Sequence, residues 1–155
     1  MGFMNTINIV GSGLTAQQLR LDIVAENVTN SQTTRTENGG GAYRRKMVVF
    51  EAVSGRDTFR DAMARASARA GRNGSSAPTA GGVRVTEIVE DESPLKIVYD
   101  PTHPDADENG YLEMPNVDMV KEIADAMAAS RAYASNVTAF NTLKSVLSSG
   151  LEIGR

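Results

Sequence analysis

The 155-residue sequence has no cysteine and no tryptophan, a single histidine, and only 5% aromatic residues. Without cysteine there are no disulfides and no thiolate metal sites, and the redox compartment is left open. The lone histidine, His103 in "PTHP", excludes metal sites built from several imidazoles, and any Ser-His-Asp relay would depend on it alone. No long unbroken apolar run is present for a membrane span. The formal charge of -3 supplies no basic face for nucleic acid. "MGFMNTINIVGSGLTAQQ" lacks the basic start of a secretory signal, and Asn5, Asn8 and Gly11 interrupt its apolar residues. Any export is therefore expected to use no cleaved leader. The length suits one domain, but a 41% apolar share and fourteen glycines leave only part of the chain able to bury itself.

Catalytic patterns are missing too. There is no G-x-S-x-G elbow. "GSGLTA" (11–16) lacks the lysine of a phosphate loop. The carboxylates are scattered, and none pair as an acid/base dyad. "DADENG" fits the first half of a calcium loop through Asp105, Asp107, Asn109 and Gly110. Its second half fails, because Asn116 stands where a bidentate glutamate belongs and Pro115 precedes it. A surface turn is the simpler expectation, and a calcium-dependent binding module the competing one. His103 is expected to be a loop residue bonded to backbone. No catalytic, metal or cofactor-binding residue is assigned, no cofactor is expected, and an enzyme is not.

What the sequence does hold is helical periodicity at both ends. A helix is predicted from about Asn5 to about Asn30, with Ile7, Leu14, Leu21 and Val28 seven apart and Met4, Val10, Val24 and Ala25 beside them. Gly11 and Gly13 weaken its first half, each by roughly 1 kcal/mol against alanine. A second helix is predicted from Asn116 or Val117 to Ser149, with Asn116 as N-cap and Asp118 and Glu122 near its positive end. Its stripe is Met119, Ile123, Met127, Ser130, Tyr133, Val137, Phe140, Lys144, Leu147 and Leu151.

Between the helices the chain reads as weak β structure. "SQTTRTENGGGA" (31–42) is a polar loop, and "YRRKMVVFEAV" (43–53) has the composition of a strand. Residues 54–82 carry five arginines and a Gly/Ser/Pro tail, which suggests a flexible segment with a short basic helix over 57–70, Phe59 and Met63 on one side. "GVRVTEIVE" (82–90) and "LKIVYD" (95–100) are predicted strands, with "DESP" as the turn between them and a loop with an Asn-Gly turn after them.

The expected fold is α+β. Two long terminal helices pair as an antiparallel coiled-coil-like hairpin, with a small antiparallel β region between. The parts are residues 1–30, 31–110 and 111–155. Both apolar stripes are wider than one seam requires, so neighbours of the same kind, or a disordered monomer awaiting them, are implied. Asn27, Asn30, Asn136 and Asn141 lie on or beside the stripes. There a buried asparagine fixes register, the plainer alternatives being a cap for Asn30 and exposure for the others.

Both termini resemble the axial proteins of the bacterial flagellum, specifically the basal-body rod proteins and most closely their proximal-rod type. "GSGLTAQQLRLDIVAENVTNSQT" matches the family's N-terminal signature through Ser12, Leu14, Ala16, Arg20, Asn27 and Asn30, with Val28-Thr29 in place of the usual leucine-alanine. "NGYLEMPNVDMVKEIADAMAASRAYASNVTAFNTLKSVLSSGLEIG" matches through Gly110, Tyr111, Pro115, Asn116, Val117, Ser130, Arg131, Tyr133, Asn136 and Val137. The stretch 54–80 looks longer than the family pattern, and loop 31–42 lacks a threonine-proline-glycine turn. The resemblance implies a structural subunit that assembles helically with copies of itself and other rod proteins into a torque-transmitting shaft around the export channel. It implies hook-basal-body neighbours, passage through the flagellar type III export apparatus, a periplasm-spanning location and no direct membrane insertion. The implied assembly residues are Ile7, Leu14, Leu21, Asn27, Val28, Asn30, Met119, Ile123, Met127, Arg131, Tyr133, Asn136, Val137, Phe140 and Leu147.

Overall fold

The computed structural model describes residues 3–36, 41–54 and 80–153. The predicted short helix over 57–70 lies outside the described residues. In chain order the elements are α1 (Phe3–Thr29), β1 (Lys46–Ser54), β2 (Ala80–Glu90), β3 (Lys96–Tyr99), β4 (Tyr111–Met114) and α2 (Met119–Ile153). The fold is α+β: long helices at the two ends, with β1–β2 and β3–β4 as two-stranded sheets between them.

The predicted strands 82–90 and 95–100 do not pair with each other across the "DESP" turn. β2 pairs with β1 instead: Gly81 lies against Val53 while Arg84 pairs with Glu51, so the two run antiparallel. β3 pairs antiparallel with β4, in register Lys96↔Met114 through Tyr99↔Tyr111. The "DESP" turn fails to close a hairpin because its groups are used elsewhere. Asp91 N donates to Arg45 O, and Asn116 Nδ2 donates to Asp91 O and Ser93 O. The turn is thus held by the residues that precede α2. The sequence reading assigns no strand to 111–114, and with four residues β4 is too short for a period to show.

The loop between β3 and β4 braces itself. Asp107 Oδ1 accepts from Asn109 N and Tyr111 N, and Gly110 takes φ +79° to close the turn. Asp100 N donates to Gly110 O and completes the ladder end.

The helix ends are capped. Asn30 closes α1 with both its backbone N and its Nδ2 donating to Glu26 O at 3.0 Å. At the start of α2 the cap is Asp118, whose Oδ1 accepts from Val120 N at 3.0 Å. This corrects the expectation for Asn116, which accepts from Arg45 N at 2.8 Å.

The chain forms two compact units. One comprises Met1–Ala16, Phe50–Val85 and Ala134–Arg155, the other Gln17–Val49 and Thr86–Tyr133. In the first unit, Ser12 Oγ donates to Ile9 O and accepts from Val83 N, which ties β2 to α1. Gly13 lets Asn136 come close, since a Cβ there would sit 3.0 Å from Asn136 Nδ2. The glycine that weakens the helix locally therefore has a packing reason.

The second unit holds nearly all of the buried residues: Ile23, Val24 and Asn27 from α1, Ala42 and Tyr43, Leu112, Val117, and Glu122 and Ala129 from α2. Here the helices run antiparallel, with Asn27 meeting Glu122 and Arg20 meeting Asp125. The seam is not the heptad line read from the sequence. Leu21 and Val28 stay half-buried, while Ile23, Val24 and Asn27 go inside.

Candidate assembly site

The middle of the second unit is polar. Asn27 is 1% exposed and Glu122 is fully buried. Asn27 fills its whole hydrogen-bonding capacity. Its Nδ2 donates to Lys46 O (2.9 Å) and Glu122 Oε2 (3.0 Å). Its Oδ1 accepts from Tyr43 O–H and from Lys46 N, both at 2.9 Å. One amide thus joins the end of α1, the start of β1 and the first turn of α2. A buried amide satisfied on every side specifies one arrangement, because any slip strands several polar groups at once.

The other oxygen of Glu122 takes the Arg45 Nε–H at 2.6 Å. Arg45 continues to Asp125 Oδ2 at 3.0 Å, and Asp125 Oδ1 receives Arg20 at 3.1 Å. Two arginines and two carboxylates therefore alternate across α1, the entry to β1 and α2. Burial disfavours the Arg45 charge, but the Glu122 hydrogen bond and the Glu122, Asp125 and Asp91 charges outweigh it and raise its pKa further. Burial, reinforced by the Glu26, Glu122 and Glu90 carboxylates, pushes the Tyr43 phenol up to about 12. Lys46 lies 5.6 Å from the Tyr43 ring centre and pairs with Glu26.

Around this node the helix surfaces stay apolar and open. On α2 within the second unit, Met119, Val120, Ile123 and Met127 are exposed, and Arg131 beside them has no partner among the described residues. Within the first unit, Phe140, Val146, Leu147 and Leu151 are exposed on the same helix. Ile7, Leu14, Leu21, Val28, Asn30, Tyr133, Asn136 and Val137 are half-buried. Of the residues assigned to assembly, only Asn27 is fully withdrawn into the subunit.

The calcium-loop residues are occupied by their own chain. Asp105 receives Thr34 O–H (2.8 Å) and the Arg35 guanidinium (2.6 Å), and Asp107 holds backbone N–H groups. His103 Nδ1 accepts from Asp105 N, as expected of a loop residue. No cluster of three metal-binding side chains occurs among the described residues.

The sequence reading missed Glu122, Arg45 and Tyr43 as a group. From sequence alone Glu122 is only a carboxylate suited to a helix start. The signal available was its place on the same face as Ala126 and Ala129, where small residues mark close helix approach.

Residues 7–35 match the family described as "Flagella basal body rod protein", and residues 108–153 match "Flagellar basal body rod FlgEFG protein C-terminal". The whole chain is 40% identical to the flagellar basal-body rod protein FlgC of Bacillus subtilis strain 168, covering 100% of each. The chain belongs to the FlgC family of flagellar basal-body rod proteins. FlgC of Borreliella burgdorferi is also 40% identical, over 99% of this chain and 98% of its own. FlgC of Salmonella typhimurium is 38% identical over 100% of both.

Membership makes the protein a structural subunit of the proximal rod of the flagellar basal body, assembling with other rod and basal-body proteins. Among the described residues no helix is long and apolar enough to cross a membrane. Several residues that carry the resemblance have structural work here. Arg20, Asn27 and Asn116 hold the second unit together, Ser12 clasps β2, Asn30 caps α1 and Gly110 makes the β3–β4 turn.

Proposed function

We propose that residues 1–30 and 111–155 form the inner helical part of the rod, packed around the export channel, and that residues 31–110 lie outside it. Copies of the chain and other rod proteins cover the open stripes of α1 and α2, and the resulting helical shaft spans the periplasm and transmits torque. The subunit arrives through the flagellar type III export apparatus without cleavage of a leader, and it is not an enzyme. The observation that carries this reading is the exposed apolar face of α2, with Ile123 and Met127 half-exposed in one unit and Val146 and Leu151 more so in the other. Such area has no reason to face water in a finished subunit.

The test separates folding from assembly. Ile123→Asp and Leu147→Asp place charges on exposed positions, so the soluble subunit should keep its helix content. Cells carrying either variant should export the protein yet build no rods and fail to swim. Swimming cells with normal basal bodies would refute the placement. The assigned residues Leu21 and Val137 are half-buried, so their aspartate variants would test folding and assembly together.

A further inference from the structure

The β3–β4 hairpin presents a face that its own unit leaves uncovered. The register places Ile97, Tyr99, Tyr111 and Glu113 on one side, and Leu112 with Met114 on the other. Leu112 is buried, whereas Ile97 is 71%, Tyr99 64% and Tyr111 50% exposed. The two tyrosine rings meet edge to face at 5.3 Å, giving a pre-arranged aromatic platform. The hairpin segment is acidic, and Glu113 shares this face. Residues 96–114 hold five acids against one lysine, a net charge of -4, and Glu108 and Glu113 have no partner among the described residues.

The complementary charge is elsewhere in the same sequence. Residues 55–72 hold five arginines against two aspartates, a net charge of +3 in a chain whose total is -3. Phe59 and Met63 are interleaved with Arg56, Arg60 and Arg65. Arginine stacks on tyrosine faces and pairs with carboxylates, and aromatic or thioether groups suit an exposed isoleucine. We propose that this hairpin face is a docking surface for the arginine-rich segment 55–72 of a second copy of the chain. Such a contact between copies forms in solution whether or not the α2 contacts of the rod are made.

The test uses the full chain with the photo-crosslinker p-benzoylphenylalanine in place of Ile97, mixed with isotope-labelled wild-type chain. Expected are adducts between the crosslinker and labelled peptides from residues 55–72. Their yield should fall about tenfold in high salt, or when the five arginines become glutamine, since screening or removing the charge abolishes the attraction. Tyr99→Ser with Tyr111→Ser, both at exposed positions, should lower it similarly while circular dichroism stays unchanged. Adducts mapping to another segment, adducts only within one chain, or a yield indifferent to salt and to arginine would each overturn the proposal. The rod placement is read from motility of the α2 variants, so the two can fail separately.

Discussion

Asn27 and Glu122 show what a buried polar pair costs and specifies. Asn27→Ala would strand the Tyr43 hydroxyl, both backbone groups of Lys46 and one Glu122 oxygen. A loss of about 3 kcal/mol is expected, from unsatisfied buried groups worth about 1–3 kcal/mol each after partial relaxation. Tyr43→Phe removes one donor and should cost only about 1 kcal/mol. Urea unfolding of the two variants checks the order. Tyr43 also sets an alkaline limit. Its pKa is raised from about 10 to about 12 in the folded state. The neutral phenol is thus the form that folding favours, and its contribution is complete below pH 10 and lost as pH rises towards 12. Tyrosinate absorbance should show one group ionising late, together with loss of ellipticity. In Tyr43→Phe the late group should vanish.

At the scale of elements, the node divides each terminal helix by its support. Residues 17–29 and 119–133 share buried partners, while 146–152 are exposed throughout. Amide exchange in the isolated subunit should therefore find protection over 17–29 and 119–133 and little over 146–153. Uniformly weak protection along both helices would mean that the node does not hold without neighbours. The same measurement decides between the two alternatives implied by the wide stripes, neighbours of the same kind or a disordered monomer awaiting them.

The helices themselves were legible, because a 3.6-residue period sustained over many turns outweighs local glycines. Their seam was less so. The heptad line of Leu21 and Val28 looks the more hydrophobic, yet the positions buried in the second unit include Asn27, Glu122 and Ala129. Polar complementarity leaves no hydrophobic period to read. The β pairing failed for a related reason. The "DESP" turn is a sound local signal, overridden by Asn116, which lies more than twenty residues away and holds Asp91 and Ser93.

For the whole molecule, the subunit joins a satisfied polar centre to open apolar flanks. Variants of the centre should lose stability before assembly is tested, and variants of the flanks should lose assembly with stability intact. Glu122→Gln is informative here: it keeps the shape but removes the charge facing Arg45. It should destabilise by about 3 kcal/mol, the usual cost of breaking a buried ion pair, and its rods should be recovered by lowering the growth temperature. Ile123→Asp should not be rescued in that way. Basal-body counts from cells grown at two temperatures distinguish them.

The Asn27–Glu122 bond spans 95 positions of sequence and the Arg20–Asp125 bond 105. A thread emerging from a narrow conduit cannot close either clasp until both partners are out, whichever end leads. With either end leading, at least 122 of the 155 residues must clear the opening before its centre can lock. On the proposed export route, the long separation of those partners is in effect a delay that keeps the strand pliable while it is in transit.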